Sequence, residues 1–452
     1  MAPRPSGEPS PERIVASAPA GPAPGPEASF EEAAARTGLV LPARRRLHPW
    51  VAVGIVAVLV GASIGVGELT GWAIGPRHGA STPGIYGAQQ CQSAPSYLSV
   101  NLTASVSGHA DPVLVSALKD WGHEFSNWSG GCVHVDGAAS SGDGFVPNLA
   151  EVGVDAVATD ALPNASDRDA LPAAVTLVPV AAVAVEVVYN LPGLSGAVRL
   201  SGAVLAGMFN GSISSWDDPA IATLNPSLDL ASAPAVVPVY RSDTAGVNDA
   251  FTRYLADSSA TWNGTVGIGS SVDWPSGVPA NSSAAEAAAL AATPGAVGYL
   301  EAGPALPENT SAAAVENPTG VFVLPSGAGA SAAVVARQNS TAAKAADWAN
   351  LTLVDAPGAT SYPITEFAFF AVYHDLGTAY ADRLSQTNAT WLLTFVWWLA
   401  GGAGTNITDF GLGVVPSAFF GLDQVALEAV LYNGGSLLEN SEGGEGGETG
   451  EF

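Results

Sequence analysis

The sequence predicts an α/β fold with mainly parallel sheets, and three observations predict it. From Leu98 onward, short runs of β-type residues alternate with segments of helical period. Asp, Ser, Pro and Gly stand at the joins, where helix caps and turns favour them. The chain has 452 residues, 48% of them hydrophobic, enough for two cores of ordinary domain size.

LSVNLTASV (98–106) reads as a strand. Asp111 and Pro112 then supply N-cap and N1 residues for a helix through VLVSALKDWGHEF. CVHVDGA (132–138) is a second strand, and Ser141 to Gly144 can open another helix. VDAVATDALP (154–163) is a strand ending in a loop. VTLVPVAAVAVEVVYNLPG (175–193) is a long β-rich stretch, because Pro179 breaks any helix there. VVPVY (236–240) is a strand that runs into the loop RSDTAGV, and FTRYLADSSATW (251–262) reads as one helix. TPGAVGYLE, GVFVLP and YPITEFAFFAVY are further strand candidates. ATWLLTFVWWLAGGAG (389–404) is a helix too short to cross a membrane, and its Trp391, Trp397 and Trp398 read most simply as core.

Charge narrows the function. The formal net charge is −26 and only 12% of residues are charged. No basic track can run along phosphates, which excludes nucleic acid as a partner. A small anion is not excluded, because a local array of donors outweighs a distant negative field.

The N-terminal region is separate in character. Residues 1–48 form an arm whose Pro, Ala, Glu and Ser content is that of a disordered segment, cytoplasmic if the next span is an anchor. Arg44, Arg45 and Arg46 precede an apolar run from Trp50 to Gly67. Its length and arginine flank predict a transmembrane anchor over 49–75, with the chain beyond about residue 76 outside the cell. A cleaved signal peptide is the alternative, and a buried core helix the plain one. Residues 76–96 read as a linker, and the acidic, Gly-rich stretch 437–452 as a disordered tail.

Eleven Asn-X-Ser/Thr sequons lie after the anchor and none precedes it; this one-sided placement, more than the number, agrees with an exterior domain. Cys91 and Cys132, the only cysteines, both fall in the exterior segment, where they can form a disulfide or stand as two buried thiols. His123 and His134 lack metal-ligand spacing, and no metal or cofactor is expected. There is no Gly-X-Ser-X-Gly elbow or phosphate-binding P-loop, so catalysis is not indicated.

SGAVLAGMFNGSISSWDDPAIATLNPSL (201–228) carries a resemblance. It is similar to a signature segment of the phosphate-binding proteins of phosphate ABC importers. The similarity continues in the same order through PVYRSDTAGVNDAFTRYL, VDWPSG, NSSAAEAAALAATPGAVGYLE and YPITEF, over roughly residues 98–435. The resemblance implies a two-lobed, type II periplasmic-binding-protein-like fold: two mainly parallel sheets with flanking helices, joined by two crossing strands. Residues 97–186 with 361–436 would form one lobe and 187–360 the other, with YPITEFAFFAVY as the return crossing.

The same resemblance implies a site. Arg241 matches the arginine that holds phosphate, and Asp243 the aspartate that orients its fork. A surface ion pair is the plain reading of those two. Asp160 matches the carboxylate that accepts a proton from hydrogen phosphate, a preference that rejects sulfate; it also reads as an ordinary loop residue. Ser141 matches a serine whose hydroxyl meets the anion at a helix start, and it also reads as an N-cap.

Four positions depart from the pattern. Ala245 and Val247 flank Gly246 where the family has Ser-Gly-Thr, so two hydroxyl donors are absent. Gly108 and His109 stand where the family presents Thr-Phe, with Ser105 or Ser107 near if the register slips. Asp111 and Asp143 add carboxylates near the expected cleft. Each donor lost to a charged ligand costs about 1.5–3 kcal/mol.

The expected function is therefore capture of phosphate, or a related oxyanion, for an ABC importer permease. The alternative is a surface glycoprotein or sensor of the same fold that has lost tight phosphate binding.

Overall fold

The computed structural model describes residues 100–437 apart from 107–111, 132, 140–148, 151–153, 161, 164, 304, 345–347, 349 and 402–410. All of them lie in one compact unit, Ile74–Phe452. The N-terminal arm and anchor span, the 76–96 linker, Cys91, Cys132 and the tail beyond 437 fall outside the described residues. So do Gly108, His109, Asp111, Ser141 and Asp143. No helix among the described residues is long and apolar enough to cross a membrane.

The main sheet is built from Val100–Val106 (β1), Val133–Ala139 (β2), Ala156–Thr159 (β3), Val175–Tyr189 (β4), Val237–Arg241 (β5), Val278–Ala280 (β6), Ala296–Glu301 (β7), Ser311–Ala312 (β8) and Thr365–Tyr373 (β9). Its order is β2-β1-β3-β9-β4-β7-β5-β6, with β8 pairing β4. The flanks are parallel, β1 with β2 and β3, and β5 with β6 and β7. The middle is antiparallel, because β9 pairs β3 and β4, and β4 pairs β7. The sheets are thus mixed, and β4 belongs to both halves: nine of its first ten residues pair β9 and its last five pair β7.

That position explains the sequence of β4. A strand covered on both faces reads as a continuous apolar run rather than an alternating one, and all but two of its fifteen residues are buried. Pro179 sits inside it. The register with β9 shifts between Ala368 and Phe369, so the ladder bulges beside the proline, which has no N–H to donate.

Six helices frame the cores and the site: Pro112–Trp128 (α1), Gly202–Phe209 (α2), Gly246–Ser258 (α3), Ser283–Ala292 (α4), Gln386–Ala400 (α5) and Ser417–Glu428 (α6). In α1, Val113, Leu114, Ala117, Leu118, Trp121 and Phe125 are buried, a stripe of helical period. Phe125 meets Phe395 of α5 at 5.1 Å between ring centres and Trp398 at 5.5 Å, so the tryptophan-rich helix is core. Two large hydrophobic cores result. One draws on α1, β3, the first half of β4, β9 and α5; the other on the second half of β4, α2, α3 and β7.

FTRYLADSSATW is not one helix. The first helix begins earlier, at Gly246, and stops at Ser258. Ser259 is extended and its side chain accepts from Trp262 N, starting a separate turn over Ala260–Thr265. A serine that bonds neighbouring backbone competes with helix continuation.

Candidate functional site

Arg241 ends β5, and α3 begins five residues later. The guanidinium is buried, at 3% exposure, and three of its N–H groups donate to Asp243 and Ser283. Nε donates to Asp243 Oδ1 at 2.7 Å and Nη2 to Asp243 Oδ2 at 2.5 Å, a fork-to-fork pair. Nη1 donates to Ser283 Oγ at 2.6 Å and lies 3.6 Å from Glu301 Oε1. Ser283 in turn donates to Glu301, 3.1 Å from Oε2. The pair with Asp243 is therefore an interior one, not the surface ion pair of the plain reading.

Second-layer contacts hold this array rigid. Asn248 Nδ2 donates to the carbonyls of Asp243 (3.0 Å) and Ser270 (2.9 Å), which fixes the loop between β5 and α3. The Tyr299 hydroxyl donates to Asn248 Oδ1 at 2.5 Å and accepts from Arg241 N at 3.2 Å. Glu286 of α4 accepts from Tyr299 N at 3.1 Å, while its Oε2 has no hydrogen-bond partner among the described residues.

Electrostatics follow from burial. Desolvation alone would push the Arg241 guanidinium down, but Asp243, Glu301 and Glu286 outweigh it and raise its pKa, so it stays a cation. Burial holds the Glu286 carboxyl well above the usual range. Glu186 on β4 is pushed up to about 8, first by burial and then by Glu301. The centre thus carries one fixed cation, with Asp243 and Glu301 beside it.

Asp160 comes directly after β3 and lies against the start of α3. A Cβ on Gly246 would sit 2.6 Å from Asp160 Cγ, 2.7 Å from Oδ2 and 2.8 Å from the Asp160 carbonyl carbon. No real Cβ tolerates that, so only glycine permits this approach. The structure brings Asp160, Gly246, Asp243 and Arg241 into one neighbourhood. Ala245 and Val247 are there only through their backbone, since both side chains are buried in the second core. Ala245 is the N-cap of α3 and makes no side-chain cap bond.

Sequence reasoning missed Ser283, Glu286, Glu301, Tyr299 and Asn248. All lie in stretches that carry the resemblance, but nothing local marks them as neighbours of Arg241. Ser282 is the N-cap of α4, where its side chain accepts from Ala285 N.

A model of the PBP superfamily domain matches residues 90–401. The phosphate-binding protein PstS of Xylella fastidiosa (strain 9a5c) is 37% identical over 188 residues, covering 40% of this chain and 49% of its own length. The phosphate-binding protein PstS of Methanocaldococcus jannaschii is 34% identical over 226 residues, 47% of this chain and 58% of the relative. The chain therefore spans about half the length of these curated relatives. The crystal structure of a DING protein superposes with a TM-score of 0.53 at 18% identity, over 72% of this chain and 93% of that one, a likeness of fold.

Proposed function

Because the chain belongs to the PBP superfamily, whose domain model spans residues 90–401, we propose that it captures inorganic phosphate, or a related oxyanion, between two lobes and hands it to the permease of an ABC importer. The lobes are residues 97–186 with 361–436 and residues 187–360, and β4 and β9 are the crossing strands. The observation that carries this reading is the packing of Asp160 on Gly246 beside Arg241. One lobe brings a carboxylate, the other a helix start and a guanidinium whose fork is already oriented.

Arg241 supplies the positive charge and the N-terminal amides of α3 supply further donors. Asp160 accepts a hydrogen bond from a protonated oxyanion. Because Asp243 and Glu301 already answer the Arg241 charge, the ligand binds best carrying protons, and its affinity rises toward acid. Ser141, Gly108 and His109 complete the seat from the first lobe. In the same reading residues 49–75 anchor the protein in the membrane with the binding domain outside, and Cys91 pairs with Cys132.

Calorimetry on the full chain tests this, with phosphate and sulfate at pH 5 and pH 7. Binding at about micromolar or tighter, specific for phosphate and weakened at least tenfold by Arg241→Lys, is the expected result; lysine keeps the charge and loses the fork. Gly246→Ala is expected to weaken phosphate binding at least tenfold as well, because its Cβ pushes Asp160 off the helix start. Absence of heat with phosphate at both pH values overturns the reading.

One observation favours a second reading, a surface or sensor protein of this fold that has lost tight phosphate binding. Ala245 and Val247 point into the core and offer no hydroxyl at the head of α3.

A further inference from the structure

The asparagines of this chain fall into two groups. Eighteen lie after residue 76, and eleven of these open an Asn-X-Ser/Thr triplet without proline. About one residue in six there is Ser or Thr, so chance placement gives about three. Burial separates the groups. Of the eight triplet asparagines whose side chains the structure describes, six are exposed, Asn210 and Asn388 are half-buried and none is buried. Of the five other described asparagines, four are buried: Asn190, Asn225, Asn248 and Asn317.

The buried four hold backbone in place: Asn225 accepts from Arg199 N and Asn317 donates to Ser361 O, for example. Asn225 and Asn317 also have a hydroxyl residue at the second position on, Ser227 and Thr319, and in both the middle residue is proline. Proline at that place blocks oligosaccharide transfer. Hydration of the carboxamide explains why an asparagine is exposed. It does not explain an excess of hydroxyls two residues on, nor proline at the two interior sites that would otherwise qualify.

We infer that the chain carries N-linked oligosaccharide at Asn210, Asn263 and Asn309, added to the folded domain, and none at Asn127 or Asn281. The inference rests on the exterior placement proposed for the binding domain. At the first three sites the hydroxyl residue two positions on, Ser212, Thr265 or Ser311, is exposed. Asn210 Oδ1 accepts from Ser212 N at 2.9 Å, an Asx turn that holds the serine beside the carboxamide. Asn309 occupies a turn with φ of 61°.

At the two excluded sites the hydroxyl is interior. Ser129 is buried, donates to Ser126 O and accepts from Val133 N. Ser283 is held between Arg241 and Glu301. Leaving Asn281 bare also keeps a bulky chain away from the arginine cradle.

The donor is a sugar chain joined through pyrophosphate to a lipid. Asparagine Nδ2 forms a bond to the anomeric carbon, the carbon–oxygen bond to pyrophosphate breaks, and the lipid pyrophosphate leaves with the electron pair. The amide proton passes to a base of the transferase, and nothing is oxidised or reduced.

The test is mass spectrometry of chymotryptic peptides from the full chain purified from its own host's cells, with external protease digestion of intact cells alongside. The expected result is sugar mass on the Asn210, Asn263 and Asn309 peptides, bare Asn127 and Asn281 peptides, and loss of each sugar on Asn→Gln substitution. Bare peptides at the first three sites, in a chain that external protease digests, overturn the inference and leave the exterior reading standing. A chain shielded from protease overturns the exterior reading, and the glycan inference falls with it. Equal occupancy at Asn127 and Asn281 overturns the selection by hydroxyl burial.

Discussion

Replacing Arg241 by methionine lowers the stability of the folded chain by about 3–5 kcal/mol at pH 7, the usual cost of removing one partner of an interior ion pair. Methionine fills much of the volume, so the loss is electrostatic rather than a cavity. It leaves Asp243 without its fork and Glu301 and Ser283 without the Nη1 group that faces both. The penalty comes from carboxylates left without their cation in the interior. Denaturant unfolding of wild type and variant at pH 7 measures it. A loss below about 1 kcal/mol would show that water reaches the array and carries the charge.

The second large effect is at Asp423 on α6. Its side chain is 1% exposed and both oxygens lack a hydrogen-bond partner among the described residues. Burial pushes its carboxyl from an ordinary 3.8 up to about 8. The folded state therefore keeps a proton that the unfolded chain releases. Stability from this group is full below about pH 4 and declines as pH rises to about 8, by at most about 1.4 kcal/mol per pH unit. Glu186, also at about 8 and raised mainly by burial, acts with the same sign.

The wild-type chain is accordingly more stable at pH 5 than at pH 8. Asp423→Leu removes this contribution and is expected to raise stability at pH 8 by at least about 2 kcal/mol, with little change at pH 4. Urea midpoints across pH 4–8 test this. An unchanged pH slope in the variant would mean that Asp423 is paired and ionised.

These carboxyls show why part of the site was not legible beforehand. Glu186 lies in VAVEVVY and Glu286 in AAEAAAL, where a lone glutamate reads as a solvent-facing residue. Both are buried, because β4 is covered on two faces and the first turn of α4 packs over β7. Arg241 and Asp243 were legible, because only Ser242 separates them and the pair forms locally. Asp160 and Gly246 were each legible as single positions through the family resemblance, but not their contact, which joins segments far apart in the chain.

By itself the sequence determined the α/β class, most strands and helices and the Arg-Asp pair. These are set by local patterning, by cap and turn residues, and by motifs kept in order. Only the tertiary structure decided that the sheets are mixed, with β4 and β9 antiparallel at the middle, and that α3 starts at Gly246. It likewise decided that Ala245 and Val247 point into the core, and that Ser283 and Glu301 complete the setting of Arg241. Those outcomes depend on which distant segments share an interior, where a charge without a partner costs far more than it does in water.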